Sequence, residues 1–451
     1  MFKSTNILRS SVSLLRQPLS CKDVLKLQSQ WIPTASLSAT ANSEQFKSDV
    51  LIIGGGIMGL STAFWIKHSS PSTSVTVIEK DPKYTTCSTT RAVGGIRSHF
   101  SLPENIKLSL HSFDFLTKIN DYLNVDPDDL IDIALVRKGY LYLATESGVD
   151  TLVNNHKIQK SCGASVELLD PQQLSVRWPW LNTNGIAAGS YGFDKEGWFD
   201  PHRLLMAFRA KALALGVKYV HGIVTDFSCS CETPSCKVNG AIVDHIKQNS
   251  QAIYSAESIV IAGGSECGAL SNKLVSQNAK SILCPVNPRK RYVYSFKCET
   301  LNGQNFPMLI DPSGVYCRGD GDNYITGLSP EESEEPQTTD FEVDYDFFDQ
   351  RIWPQLAERV KPFESIKVLS AWAGYYDFNE LDENAIMGQD PVWSNLYWLT
   401  GFSGHGIQMG PAAGKCISEL ILNGKYSTVD CTRFRFNRAI EGEKLLEVNI
   451  I

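Results

Sequence analysis

Hydrophobic and polar positions change period repeatedly along the chain. Residues 49–53, Asp-Val-Leu-Ile-Ile, form a short apolar run, as a strand buried on both faces requires. Gly54-Gly55-Gly56-Ile57-Met58-Gly59 follows, then a helical stretch over residues 60–67, broken at Ser69-Ser70-Pro71. Residues 75–78, Val-Thr-Val-Ile, predict a second strand that closes on Glu79. The unit therefore reads strand, glycine turn, helix, strand, acid.

The middle of the chain mixes two periodicities. Ser101-Leu102-Pro103-Glu104 fits a capping box, and Ile106, Leu110, Phe113 and Leu116 continue it at helical spacing. Alternation over residues 131–145 predicts an antiparallel hairpin, with a helix following at about 148–162. Asp200-Pro201 is an N-cap with proline at the first helical position, and Gly216 ends that helix before a strand at 217–221. The apolar strand 258–262 ends at Gly263-Gly264. Strands of parallel type thus return after an inserted segment, so the first domain is expected to be discontinuous. Residues 285–330 read as antiparallel sheet, 331–335 as a solvated acidic loop, and 344–361 as a helix with a break at Trp353-Pro354. A strand at 396–400 leads into Gly401-Phe402-Ser403-Gly404-His405-Gly406 and a helix over 411–422. The fold class is mixed α/β.

Composition narrows the functional classes. With 43% hydrophobic residues in 451 there is ample core, which excludes bulk disorder. A net charge of -7 gives no broad basic field, so nucleic acid is not an expected partner. Residues 1–40 differ from the rest: they carry Lys3, Arg9, Arg16, Lys22 and Lys26 against the single acid Asp23, are rich in serine, and place Ile7, Leu8, Leu14, Leu15 and Leu19 on one face of a short helix. That is the composition of a mitochondrial presequence. The longest apolar run, 50–66, is interrupted by four glycines, so no transmembrane segment is expected. The twelve cysteines show no disulfide framework. Cys229, Cys231 and Cys236 form a cluster that reads either as a metal site or as a polar hairpin; it lacks paired C-x-x-C spacing, and no metal is expected.

The first glycine motif carries the clearest chemistry. Gly54 permits the tight turn, Gly56 lets the backbone approach a pyrophosphate, and Gly59 allows close helix–strand packing. The helix N-terminus then favours phosphate charge, and Glu79, 20 residues beyond Gly59, can accept from a ribose diol. The second glycine turn can close the same site, with its N–H groups facing an electron-rich ring edge.

With Ala262-Gly263-Gly264 and residues 401–406, these motifs resemble the FAD-dependent D-amino-acid oxidase superfamily, on the branch of sarcosine and dimethylglycine oxidases and dehydrogenases. The resemblance covers residues 48 to about 430. Ser101–Ile106, residues 370–379 and the tail 445–451 are similar to the mitochondrial group of FAD-dependent oxidoreductase domain-containing proteins that assist respiratory complex I assembly.

The resemblance implies a glutathione-reductase-like FAD-binding domain under an antiparallel-sheet substrate domain. Residues 46–130, 196–270 and 366–430 would form the first, 131–195 and 271–365 the second, 431–451 a C-terminal extension, and 1–45 the presequence and linker. It implies FAD at Gly54, Gly56, Ile57, Met58, Gly59, Glu79, Lys80, Gly263, Gly404, His405 and Gly406. Relatives with covalent flavin use a histidine where this chain has Arg91, or a cysteine where it has Ala373-Gly374-Tyr375-Tyr376, so non-covalent FAD is expected. The oxygen-activating lysine of oxidase members is missing near residues 324–327, which favours a dehydrogenase.

Arg97 and Arg318 are the candidate anchors for a substrate carboxylate, Tyr375 and Tyr376 for shaping the pocket, and His405 for contact with flavin or for holding its loop. His99, near the same early loop, can simply face solvent, and Cys87, which lies before that loop, can be inert. The implied partners are a small amine or amino-acid substrate, an electron-acceptor protein, and complex I subunits or assembly intermediates, in the mitochondrial matrix or at the matrix side of the inner membrane. The alternative is a catalytically weak or inactive flavoprotein acting as an assembly factor or chaperone.

Overall fold

Two eight-stranded sheets organise the chain. In the first, the spatial order is Ile386–Gln389, Leu396–Thr400, Ser250–Ile261, Glu44–Ile53, Val75–Glu79 and Lys218–His221, with the hairpin Ile223–Glu232 and Ser235–His245 paired onto Ser250–Ile261. Glu44–Ile53 runs parallel to both of its neighbours. Its inner residues are buried on both sides, which explains the unbroken apolar run in the sequence. This is a computed structural model, and it describes residues 44–232, 235–278 and 280–448, which form one compact unit. The presequence reading lies outside the described residues. Among them, no helix is long and apolar enough to cross a membrane.

The second sheet has the order Lys367–Asn379, Val286–Lys297, Asn323–Gly327, Tyr316–Asp320, Met308–Ile310, Tyr140–Ala144, Ala188–Asp194 and Ser165–Leu169. Its pairings are antiparallel except that Met308–Ile310 runs parallel to Tyr140–Ala144. Three expectations change here. Lys367–Asn379 belongs to this sheet, because it pairs along the whole length of Val286–Lys297; the predicted boundary at 366 had put it in the first domain. No hairpin forms over 131–145: the alternation is real, but Tyr140–Ala144 finds its partners at Ala188–Asp194 and Met308–Ile310. Ser101 does not cap its helix from within, since its hydroxyl and N–H both donate to Glu447 near the chain end.

That contact makes residues 431–448 part of the body. Cys431, Phe434 and Leu445 join the core around the first helix, and the buried Arg438 guanidinium pairs with buried Asp382. The acidic run 331–335 is likewise pinned, with Arg351 on Glu331 and Glu334, and Arg289 and Arg291 on Glu335. A disulfide joins Cys231 and Cys236 across the hairpin, and among the described residues no cluster of three metal-ligating side chains occurs.

Asp200 performs as its sequence position suggests. Its carboxylate accepts from the N–H groups of His202 (2.9 Å) and Arg203 (3.1 Å), capping Pro201–Ala214. Asp200→Ala should therefore lower unfolding stability by about 1 kcal/mol in urea titrations. No change would mean that the first-turn N–H groups are equally well solvated.

Candidate functional site

A cavity of about 950 Å3 runs between the two sheets. That is near the top of the range for ligand sites, roughly 300–1,000 Å3. Its wall contains Gly54, Gly56, Ile57, Met58, Glu79, Lys80, Gly263, Gly404, His405 and Gly406, together with Arg97 and Tyr375. The sequence signals scattered over 350 residues therefore converge on one space. Gly59 and Arg318 are not in the wall.

The glycines of the first turn have different jobs. Gly54 takes φ +106°, and a Cβ there would stand 2.3 Å from the carbonyl oxygen of Ala262. At Gly59 a Cβ would lie 1.9 Å from the oxygen of Gly54, so this glycine lets the helix Ile57–Ser69 sit against its strand. A Cβ on Gly56 would meet only Thr89 Oγ1 at 3.4 Å and Cys87 Sγ at 3.7 Å. The protein's own packing does not need glycine at 56, whereas a ligand backbone or phosphate lying on the turn does. Behind the turn, Glu79 Oε2 accepts from Gly55 N (2.7 Å) and Oε1 from Asp81 N (2.8 Å). Burial pushes its carboxyl above the ordinary range, and these two donors oppose that shift. Lys80 reaches outward and pairs with Glu266 at the rim.

The second glycine turn is held by a residue the sequence did not single out. Asp377 Oδ2 accepts from Gly401 N (2.7 Å) and Phe402 N (3.1 Å), while its carbonyl accepts from Ser403 N (3.0 Å). This clamp sustains left-handed backbone at Gly401, Ser403 and Gly404. The helix that follows, Gly406–Asn423, starts a full turn earlier than its residue pattern predicts, because Pro411 is inside it. The carbonyl of Pro411 accepts from Trp65 Nε1 (2.9 Å) and Ser61 Oγ (3.3 Å), which fastens this helix to the first one. Two helix N-termini thus open onto one cavity. With a glycine surface that only a ligand would fill and a carboxylate at the end of the second strand, the wall fits an anionic dinucleotide.

Arg97 lies beside the second glycine turn, across Phe100 from His405. Its backbone N–H donates to Gln408 Oε1 (2.8 Å), and its guanidinium lies over the rings of Phe100 (4.8 Å), Tyr140 (5.8 Å) and Tyr142 (6.0 Å). No acidic side chain forms an ion pair with it among the described residues, and its Nε is buried without a partner. The arginine is enclosed by protein yet keeps part of its surface open to the cavity.

Arg318 is different: its guanidinium donates to the carbonyls of Gly319 (2.8 Å) and Val93 (3.0 Å) and to Asp320 (3.0 Å), although its Nε, like that of Arg97, is buried without a partner. It is an interdomain tie, which corrects its assignment as a substrate anchor. Tyr375 donates its hydroxyl to the Asp340 carbonyl (2.5 Å) and stacks on Phe341 (4.4 Å), so it shapes the mouth. Arg91 holds Thr85 and Ala373 by their carbonyls and stacks over Phe341. His99, read from the sequence as solvent-facing, is buried against Glu196 and Ser190.

His405 is half-buried in the cavity wall beside Phe100, ring edge to face at 5.2 Å. Burial, reinforced by the Arg97 charge, pulls its pKa from 6.5 down to about 3, so the imidazole is neutral at physiological pH. Between those values the unfolded chain takes up a proton that the folded protein refuses. This contribution is complete above 6.5 and should be lost as pH falls through that window, at up to ~1.4 kcal/mol per pH unit. His405→Asn should flatten the acid slope of stability in urea unfolding. An unchanged slope would show that His405 does not resist protonation.

Comparison with known proteins agrees with this geometry. The family model described as "DAO: FAD dependent oxidoreductase" matches residues 49–420. FAD-dependent oxidoreductase domain-containing protein 1 of Xenopus laevis is 44% identical, over 94% of this chain and 88% of its own length. The Drosophila melanogaster homolog is 36% identical, over 90% and 81%. Among solved structures, the L-proline dehydrogenase of P. horikoshii superposes with a TM-score of 0.74 at 25% identity, covering 90% of this chain and all of that one. Glycine oxidase of Geobacillus kaustophilus has the same fold, with a TM-score of 0.70 over 87% of this chain and 99% of its own, at 22% identity.

Proposed function

Because the chain belongs to the DAO family of FAD-dependent oxidoreductases, we propose that it dehydrogenates an amine or N-alkyl amino acid in mitochondria and supports assembly of respiratory complex I. The observation that carries the catalytic part is Arg97, a guanidinium without an ion-pair partner that faces the cavity from an aromatic nest. A half-buried arginine with unused donors facing a cavity suits a carboxylate, which it can hold through two charge-assisted hydrogen bonds.

FAD, when bound, supplies the hydride acceptor. The protein's share is placement. Arg97 would fix the carboxylate, and with it the C–H bond next to nitrogen. The faces of Tyr140, Tyr142 and Phe100 exclude water from that end. Neutral His405 adds no second positive charge beside the amine, which must lose its ammonium proton before its lone pair can form the C=N bond. Non-covalent attachment is supported by the engagement of Arg91 with Thr85 and Ala373. Dehydrogenase rather than oxidase chemistry, with an electron-acceptor protein, is supported by the lysines. Among the described residues Lys80 is the one in the cavity wall, and it pairs with Glu266. Nearby Lys290 is tied to Asp340.

Matrix placement and the complex I role are supported by the basic, serine-rich start and by the sequence resemblance. The test is anaerobic titration of flavin-loaded protein with amino acids and N-methyl amino acids, following the visible flavin band. In parallel, cells lacking the protein are complemented and their complex I measured. Bleaching by one compound and recovery of complex I support the whole reading. Flavin that stays oxidised across the panel, with complex I restored, would overturn amine oxidation and leave a flavoprotein assembly factor.

A further inference from the structure

A buried carboxylate stands behind the cavity's cation. Glu196 is 1% exposed and sits in the turn between Ala188–Asp194 and Gly197–Trp198, where Lys195 (φ +57°) and Gly197 (φ +154°) both take left-handed backbone. Its Oε1 accepts from Ser98 N (2.8 Å) and from the Ser98 hydroxyl. Its Oε2 meets His99 Nδ1 at 3.0 Å, and His99 Nε2 meets Ser190 Oγ at 3.0 Å. The fold makes room for this carboxylate: a Cβ on Gly192 would stand 2.1 Å from Oε2.

Ser98 and His99 directly follow Arg97. The His99 ring stacks on Tyr142 at 4.7 Å, and the Arg97 guanidinium lies over the same tyrosine at 6.0 Å. Glu196 therefore anchors the backbone that aims Arg97 and supplies negative charge from behind it. Its charge reaches Arg97, Tyr140 and Tyr142 through protein rather than water. In such surroundings Coulomb interactions are screened far less than in bulk solvent.

An uncompensated guanidinium in a closed cavity would attract any small anion. Glu196 makes the local charge near zero. A simple carboxylate then gains less on entry, whereas an amino acid brings a compensating positive nitrogen. We infer that Glu196 is a positioning and specificity-determining residue that makes the cavity prefer net-neutral, zwitterionic amino acids over simple carboxylic acids. The inference rests on the reading of Arg97 as the carboxylate anchor.

Glu196→Gln separates charge from shape. The amide keeps an acceptor for Ser98, and His99 can take its other tautomer, accepting at Nδ1 and donating from Nε2 to Ser190. The flavin-loaded full chain is titrated with acetate and with trimethylglycine, a zwitterion whose quaternary nitrogen cannot form an imine, and shifts of the visible flavin spectrum are followed. Wild type should bind trimethylglycine more tightly than acetate. In E196Q the acetate dissociation constant should fall by about fivefold or more, with trimethylglycine changing less than about twofold. In an R97Q background, where the anchor is gone, acetate should bind far more weakly than to wild type.

A wild-type preference for acetate overturns the inference without any variant being needed, as does an E196Q protein with full flavin and an unchanged ratio. If R97Q binds acetate as tightly as wild type, the anchor itself is wrong. If acetate binding needs Arg97 but E196Q leaves the preference alone, the anchor stands and the role of Glu196 falls.

Discussion

Gly56→Ala should purify as a folded protein that has lost most of its flavin. The backbone at 56 has φ -72° and ψ -172°, which alanine adopts freely. The added methyl would make only ordinary contacts with Thr89 and Cys87 inside the protein. It would instead occupy the bare surface at the N-terminus of Ile57–Ser69, where a pyrophosphate draws on the helix dipole and free N–H groups. Losing that approach should weaken FAD by at least about tenfold, or ~1.4 kcal/mol.

Gly59→Ala is the contrasting variant. Its methyl would be driven into the Gly54 carbonyl, so the fold itself should suffer, by about 3 kcal/mol or more. Flavin absorbance per protein and thermal unfolding of the flavin-free forms distinguish the two. Full flavin occupancy in Gly56→Ala would show that the ligand does not lie on this turn.

The contrast between these glycines marks what a sequence reader can see. The turn was legible because its parts are consecutive, and both the period change and the acid at Glu79 fall within one short window. The second glycine turn was legible for the same reason. Its clamp was not: Asp377 is one acid in an alternating strand, and its bonds to Gly401 and Phe402 cross 24 and 25 residues. Glu196 acts on Ser98 from 98 residues away, next to a lysine and a glycine that read as an ordinary turn.

Ser101 was misread for a related reason. Its local pattern fits a cap, but Glu447, 346 residues on, offers a carboxylate that takes both its N–H and its hydroxyl. The two arginines show the limit most plainly. Each stands beside short loop or strand segments rich in glycine. Arg318 finds two carbonyls and a carboxylate within reach, while Arg97 finds mostly aromatic faces. Only the tertiary surroundings decide which cation is left free for a ligand.

That difference leads to the second large effect. Once a reducing substrate is known, Arg97→Gln should lower kcat/KM for flavin reduction by about two to three powers of ten. Two charge-assisted hydrogen bonds to a carboxylate are each worth about 1.5–3 kcal/mol, and glutamine supplies neither the charge nor the paired donors. Flavin content should stay near wild type, because the substitution leaves the first glycine turn and the Glu79 carboxylate behind it untouched. Stability should not fall either: the substitution removes an enclosed cation that has no ion-pair partner, and functional groups of this kind commonly cost a fold stability.

Arg97→Lys should recover only part of the rate, since an ammonium cannot reproduce the planar fork. Anaerobic stopped-flow reduction, flavin content and melting temperature give the three readings. A variant reduced as fast as wild type would remove Arg97 from substrate binding. One that loses its flavin or its fold would assign it a structural role instead. Rate lost with flavin and fold intact is the result that an anchor requires, because only then does the defect belong to the substrate.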